Sequence, residues 1–225
     1  SDNVIDLKGK LLMPGLVDVH VHLREPGQED KETIYSGTRS AAAGGFTAVA
    51  CMPNTNPTID NKATAEMVHS IAKRDGASKV YVIGAITKDI KGEELNEYGD
   101  FKEAGVVALS DDGNDVQRSD VMRNALEYSK VFDLPIICHC EDDALTGNGV
   151  VNEGYWSVVT GLAGVPNLAE DTMTWRNIQL AKLTKGRVHI AHVSTAGSVD
   201  IIRQAKKEGI RVTAEVAPHH LVLTD

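Results

Sequence analysis

The segment Asp18-Val19-His20-Val21-His22 carries the residue types that most directly imply chemistry. On a strand, side chains two positions apart point to the same face, so His20 and His22 can address one cation together. A neutral imidazole nitrogen is a favoured ligand of Zn²⁺ and similar ions. Asp18 shares that face but lies deeper, where it either orients a histidine or is a buried polar residue. Three more donors end other apolar runs: Asp112 in Ser110-Asp111-Asp112-Gly113, His139 in Ile137-Cys138-His139-Cys140, and His192 in Val188-His189-Ile190-Ala191-His192. Only one of the adjacent Asp111 and Asp112 can face inward, and Asp-Asp-Gly-Asn is also good turn sequence. Four imidazoles and Asp112 exceed what one tetrahedral ion needs. They predict a two-metal site, in which paired cations polarise an electrophilic oxygen and generate hydroxide.

Arg24 follows His22 by two positions, and Asn54 ends a later run after Met52-Pro53. A guanidinium fork matches a carboxylate and an amide adds a hydrogen bond, so the pair can hold a small anionic substrate. The alternative for Arg24 is an ion pair at the rim, for instance with Glu25. Cys138 and Cys140 flank His139, project to the opposite face and read as packing residues. His69 reads as a surface helix residue. His189, three positions from His192, is expected on the opposite strand face. His219 and His220 follow the last run, where either can border the site.

These residues need a scaffold, and the chain supplies an alternation of strands and helices. Seven β-rich runs are legible: 16–23, 47–52, 79–86, 106–112, 134–140, 187–194 and 210–216. Between them the spacing predicts helices over 33–43, 61–74 (with Asp60 as N-cap), 95–104, 119–132, 169–184 and 198–208. Strand–helix–strand units in series give either a doubly wound sheet or a β/α barrel. No strand is followed by the glycine-rich phosphate turn of a dinucleotide fold. Polar residues gather at the C-terminal ends of several strands, where barrel enzymes build their sites, so the expectation is a TIM-type (β/α)8 barrel. Seven strands fall one short of eight, so the chain is expected to be truncated, with the eighth strand beyond Asp225. Residues 1–14 read as the remnant of a small β domain and 15–225 as the partial barrel. The glycine-bearing stretch 141–168, with Tyr155 and Trp156, is expected to wall the site.

Composition narrows the classes. At 225 residues, 42% hydrophobic and 24% charged, the chain is globular rather than disordered. A net charge of −9 makes nucleic acid and anionic membrane poor partners. No apolar run approaches the ~18 residues that span a bilayer, and no secretory signal opens the chain. Three cysteines, Cys51, Cys138 and Cys140, form no disulfide framework and point to a reducing cytoplasm.

In order along the chain, DVHVHLREPG, MPNTNP, ALSDDG, ICHCEDD, HIAHVSTAGS and TAEVAPHHL resemble the dihydroorotases, cyclic amidohydrolases of pyrimidine biosynthesis. The likeness runs from about Val4 to Asp225, and HLREPG and MPNTNP are its discriminating pieces. It implies an amidohydrolase barrel with a small β-sandwich built from both chain ends, and reversible hydrolysis of dihydroorotate to N-carbamoyl-L-aspartate. By motif, His20 and His22 would bind one zinc, His139 and His192 a second, and Asp112 would bridge them. Asp112 then stands where many superfamily members carry a carboxylated lysine. Arg24 and Asn54 would contact the substrate carboxylate, with His22 beside them. The family's proton-accepting Asp belongs to strand eight, beyond Asp225, so no turnover is expected of these 225 residues alone. The rival readings are an allantoinase- or hydantoinase-like cyclic amidase, and a non-catalytic partner of aspartate transcarbamoylase. The expected partners are otherwise a small-molecule substrate and further copies of the chain in a homo-oligomer.

Overall fold

The computed structural model describes residues 6–223. Strands β1 (Leu16–Val21), β2 (Phe46–Cys51), β3 (Lys79–Gly84), β4 (Ala108–Ser110), β5 (Ile136–Cys138), β8 (Val188–Ile190) and β9 (Val212–Ala214) form one seven-stranded sheet. They lie in the order β1-β2-β3-β4-β5-β8-β9, and every neighbouring pair is parallel. Helices α1 (Ile34–Ala43), α2 (Lys62–Asp75), α3 (Tyr98–Glu103), α4 (Ser119–Ser129), α7 (Leu168–Thr184) and α8 (Ala196–Lys207) link the strands, and α9 (Pro218–Val222) follows β9. This is the barrel-type β/α arrangement that the sequence predicts, with β1 and β9 as the outer strands.

Alternation along each strand divides the core in two. Val49, Val82, Leu109, Ile136 and Ile190 join Ile34, Val68, Phe101, Leu126, Ile178 and Ile202 of the helices in one large cluster. Ala50, Met52, Ile83, Ala108, Ile137 and Ala191 form a smaller second cluster from the other strand face. Burying a side chain such as Ile83 or Leu126, each 0% exposed, stabilises the fold by roughly 1.5–3 kcal/mol. The strands are shorter than the apolar runs suggest, because pairing ends where the polar site begins. The run 134–140 gives a strand only at Ile136–Cys138, and 106–112 only at Ala108–Ser110. The predicted helix 95–104 likewise contracts to Tyr98–Glu103.

Local capping explains the helix starts. The Thr33 side chain caps α1, with its oxygen accepting from the Ser36 backbone N–H. Asn61, rather than the expected Asp60, caps α2, its Oδ1 accepting from the Thr64 N–H at 3.0 Å. Two adjacent residues of capping type make that start ambiguous from sequence.

The stretch 141–168 has structure of its own. It contains α5 (Asp143–Thr146), α6 (Tyr155–Thr160) and a two-stranded parallel sheet of β6 (Val151–Asn152) and β7 (Gly164–Val165). At the other end, residues 6–15 form no strand, and Leu11, Leu12 and Met13 are exposed. Residues 1–5 of the expected N-terminal β unit, and Thr224 and Asp225, lie outside the described residues. No helix among the described residues is long and apolar enough to cross a membrane.

Candidate metal centre

The C-terminal ends of four strands deliver the candidate ligands to one place. His20 lies in β1 and His22 just past its end. Asp112 follows β4, His139 follows β5 and His192 follows β8. His20 Nε2 is 3.2 Å from Asp112 Oδ1, and His22 Nε2 is 3.5 Å from Asp112 Oδ2. His139 Nδ1 and His192 Nε2 each lie 3.9 Å from Asp112 Oδ1. Ligand atoms of His20, His22 and Asp112 lie within 4.8 Å of one another, as do those of Asp112, His139 and His192. Asp112 is common to both groups and is buried beneath them. The set of imidazoles sharing one carboxylate is therefore brought together as the sequence predicts, and its donor chemistry fits a pair of divalent cations.

The two adjacent aspartates have separate fates. Asp111 points away, where its carboxylate accepts from the Thr87 N–H at 3.0 Å and from the Thr87 hydroxyl. Burial pushes its carboxyl up to about 6, against those hydrogen bonds. Anchoring Asp111 on one side commits Asp112 to the other. Burial also opposes the charge of Asp112, but the His20 hydrogen bond and the surrounding imidazoles hold its carboxyl below the usual range.

The His20 and His22 rings are each held at Nδ1. His22 Nδ1–H donates to Asn54 Oδ1 at 3.0 Å, and Asn54 Nδ2 donates to Asp112 Oδ2 at 3.1 Å. Asn54 thus spends both ends of its amide on the ligand set. His20 Nδ1–H donates to Glu215 Oε1 at 2.6 Å. Burial works against charging His20, but hydrogen bonds to Asp112 and Glu215 outweigh it and raise the ring to about 9. Burial lowers His22, with the nearby Arg24 charge adding to the effect. Burial, with the charges of His139 and His20, lowers His192 to about 4. Asp18 does not touch the rings; its Oδ1 accepts from the His20 backbone N–H at 3.0 Å.

Arg24 sits on a left-handed turn, φ 60°, half-buried beside His22. Glu25 does not pair with it. Instead Glu25 Oε2 accepts from the Ile34 N–H at 2.9 Å, and among the described residues no carboxylate lies within ion-pair reach of Arg24. The turn locks against the segment carrying Asn54: the Asn56 N–H donates to Pro26 O at 2.9 Å, and Gln28 Nε2 donates to Asn54 O at 3.1 Å. Gly27 makes this approach possible. Its φ is 87°, and a Cβ there would stand 1.8 Å from the Asn56 carbonyl oxygen.

A cavity of about 1000 Å³ opens above the ligands, lined by His20, His22, His139, His192 and Glu215. Val150, Val165 and Pro166 of the 141–168 stretch line it too, so that stretch does wall the site. Both His219 and His220 of α9 border the cavity. Cys138 and Cys140 are buried in the core, as the alternation predicts, and all three cysteines are free.

Two placements correct the sequence reading. His189 is not turned away from the site region: its Nδ1 meets Thr213 Oγ1 at 2.8 Å and its Nε2 lies 3.4 Å from Glu215 Oε2. The alternation rule fails there because β8 ends at Ile190 and His192 takes φ 34°, so counting positions no longer assigns faces. His69 is half-buried on α2 rather than a free surface residue. Three carboxylates escape sequence reasoning altogether: Glu215, Glu141, whose Oε2 accepts from His139 Nε2 at 3.2 Å, and Glu170. For Glu215 the available signal is an acidic residue closing the apolar run VTAEVA; for Glu141 it is the two-residue spacing from His139.

The chain is 56% identical over 222 residues to a dihydroorotase of Caldanaerobacter subterraneus, covering 99% of this chain and 52% of that protein. It is 59% identical over 222 residues to a dihydroorotase of Pelotomaculum thermopropionicum, with 99% and 52% covered. The chain spans about half the length of the curated relatives it matches. Among solved structures, the L-hydantoinase (dihydropyrimidinase) from Arthrobacter aurescens superposes with a TM-score of 0.82 at 23% identity, covering 98% of this chain and 50% of that one, which shows a shared fold. Residues 9–198 match the family model described as dihydro-orotase-like, and the chain belongs to that family.

Proposed function

We propose that the protein, at the full length of its relatives, is a zinc-dependent cyclic amidohydrolase that reversibly hydrolyses dihydroorotate to N-carbamoyl-L-aspartate in pyrimidine biosynthesis. The observation that carries this reading is the convergence of His20, His22, His139 and His192 on Asp112 beside one cavity, in a chain more than half identical to proteins named dihydroorotase. His20 and His22 would hold one zinc and His139 and His192 a second, with Asp112 shared. Bound there, zinc would supply Lewis-acid polarisation of the ring amide and ready deprotonation of water.

The chain's own residues do the rest. Asp112 stands within 3.9 Å of all four imidazoles and offers its charge to both halves of the site. Arg24, which pairs with no carboxylate among the described residues, would donate bidentately to a substrate carboxylate. Asn54 fixes His22, so the substrate ring would be oriented against an already ordered edge. The 141–168 stretch supplies one wall of the cavity. Three buried free cysteines support a cytoplasmic protein.

Turnover of dihydroorotate, carbamoyl-aspartate, hydantoin and allantoin by the zinc-loaded full-length protein tests the reading. Turnover of the first two, lost in Arg24→Ala, is expected. Hydrolysis of hydantoin or allantoin alone would assign the protein to another cyclic amidase, and no turnover of any would support a non-catalytic partner of aspartate transcarbamoylase.

A further inference from the structure

Glu215 is held in place before its side chain is considered. Its backbone N–H donates to Ile190 O at 3.0 Å, and its carbonyl accepts from the Val193 N–H at 2.9 Å. Those two bonds straddle Ala191 and His192, so the Glu215 backbone also frames the segment that presents His192. Its carboxylate then leaves β9 and reaches His20 of β1. These are the two outer strands of the sheet, and no strand pairing joins them among the described residues. The second carboxylate oxygen lies 3.4 Å from His189 Nε2, and His189 is in turn fixed at Nδ1 by Thr213. Glu215 and His20 are mostly enclosed, with side chains 19% and 12% exposed.

We infer that Glu215 is a positioning residue for His20: by accepting the Nδ1 proton it fixes the ring's tautomer and rotation, so that Nε2 is presented to the cation beside Asp112. The inference rests on the metal-centre reading above and extends it to a residue outside the ligand set. An imidazole has two nitrogens and a rotatable ring, so a ligand set specified only at the ligands is loosely aimed. A carboxylate on the far nitrogen removes that freedom and increases the donor strength of the near one. His22 receives the equivalent hold from the neutral amide of Asn54. The His20 hold is the charged one, and it crosses the side of the sheet where main-chain pairing does not fix the spacing of the two strands.

The test is zinc affinity, measured on the full-length protein by competition with a chromophoric chelator. Glu215→Ala should weaken zinc binding roughly 10–100-fold. Glu215→Gln, which keeps an acceptor at the same reach, should recover most of that loss. In the zinc-loaded wild type, NMR should show a slowly exchanging His20 Nδ1 proton that persists in Glu215→Gln and vanishes in Glu215→Ala. Melting temperatures of the chelator-treated Gln and Ala variants should agree, which a purely strand-tying role would not give. Wild-type zinc affinity in Glu215→Ala, or Glu215→Gln as weak as Glu215→Ala, overturns the positioning role and leaves the metal centre standing. A wild type that binds no zinc overturns the metal centre and this inference with it. Should Glu215→Ala fail to fold, the Gln variant and its Nδ1 proton still decide.

Discussion

The two halves of the candidate ligand cluster share Asp112 and differ in how their histidines are held. In the β1 half, each ring is anchored at Nδ1 by a side chain, Glu215 for His20 and Asn54 for His22, and each Nε2 is turned to Asp112. In the β5–β8 half, His139 Nδ1 and His192 Nε2 face each other at 2.9 Å, and His139 Nε2 goes to Glu141. Glu141 thus holds the His139 ring, and further holds fall on the main chain. Glu170 accepts from the backbone N–H groups of Ser194 and Thr195 just after His192, and Gln117 Nε2 donates to Glu141 O at 2.8 Å. Arg176 in turn donates to Val116 O and Gln117 O, both at 2.8 Å. The first half is therefore ordered at both of its rings, and the second at the His139 ring and along its backbone. A cation entering the second half must separate a pair of imidazoles that hydrogen-bond to each other, whereas in the first half the ligand nitrogens already converge on the carboxylate. The first half should bind more tightly.

The contrast can be broken at its ring anchors first. Asn54→Ala removes the hold on His22 and should weaken zinc binding in the β1 half by roughly 10–100-fold while leaving unfolding temperature nearly unchanged. Chelator competition read beside a melting curve checks both effects. Breaking a backbone anchor should do the reverse. Glu170→Ala strips the acceptor from two N–H groups and two hydroxyls at the start of α8, and should cost about 1–3 kcal/mol in denaturant unfolding. Affinity should fall in the β5–β8 half and hold in the β1 half.

A further effect concerns pH. Asp115 is buried beside Arg176, its Oδ1 3.5 Å from the guanidinium. Burial pushes its carboxyl from the ordinary 3.8 up to about 7, although Arg176 pulls the other way. The folded state therefore holds this proton to higher pH than the unfolded chain does. The stability it contributes is present at acid pH and is lost as pH rises from about 4 to 7. Asp115→Asn, which carries no proton to lose, should flatten that decline in melting temperature. An unchanged slope would remove Asp115 as its source.

Much of the fold and of the candidate ligand set is legible in the sequence because its signals are local. Apolar runs set seven strands, helical spacing and stop signals set the helices between them, and His-x-His on one strand needs only the two-residue repeat. What stays hidden is non-local. Glu215 and His20 are 195 positions apart, and their meeting depends on two outer strands curving toward each other. Glu170 acts on a loop 24 residues away. The left-handed backbone at His192 interrupts the strand alternation, so counting back from His192 assigns His189 to the wrong face. The short sheet within 141–168 escapes a sequence reading, since two-residue strands leave almost no periodic trace.

The division of the centre into two halves around one shared carboxylate is tested most directly by zinc stoichiometry. Zinc would be titrated into the full-length wild type, the double variants His20→Ala with His22→Ala and His139→Ala with His192→Ala, and Asp112→Ala. Two zinc ions per wild-type chain, one in each double variant with the tighter ion surviving removal of His139 and His192, and none bound tightly in Asp112→Ala are expected. A wild type that takes one ion, or either double variant that keeps two, would contradict it.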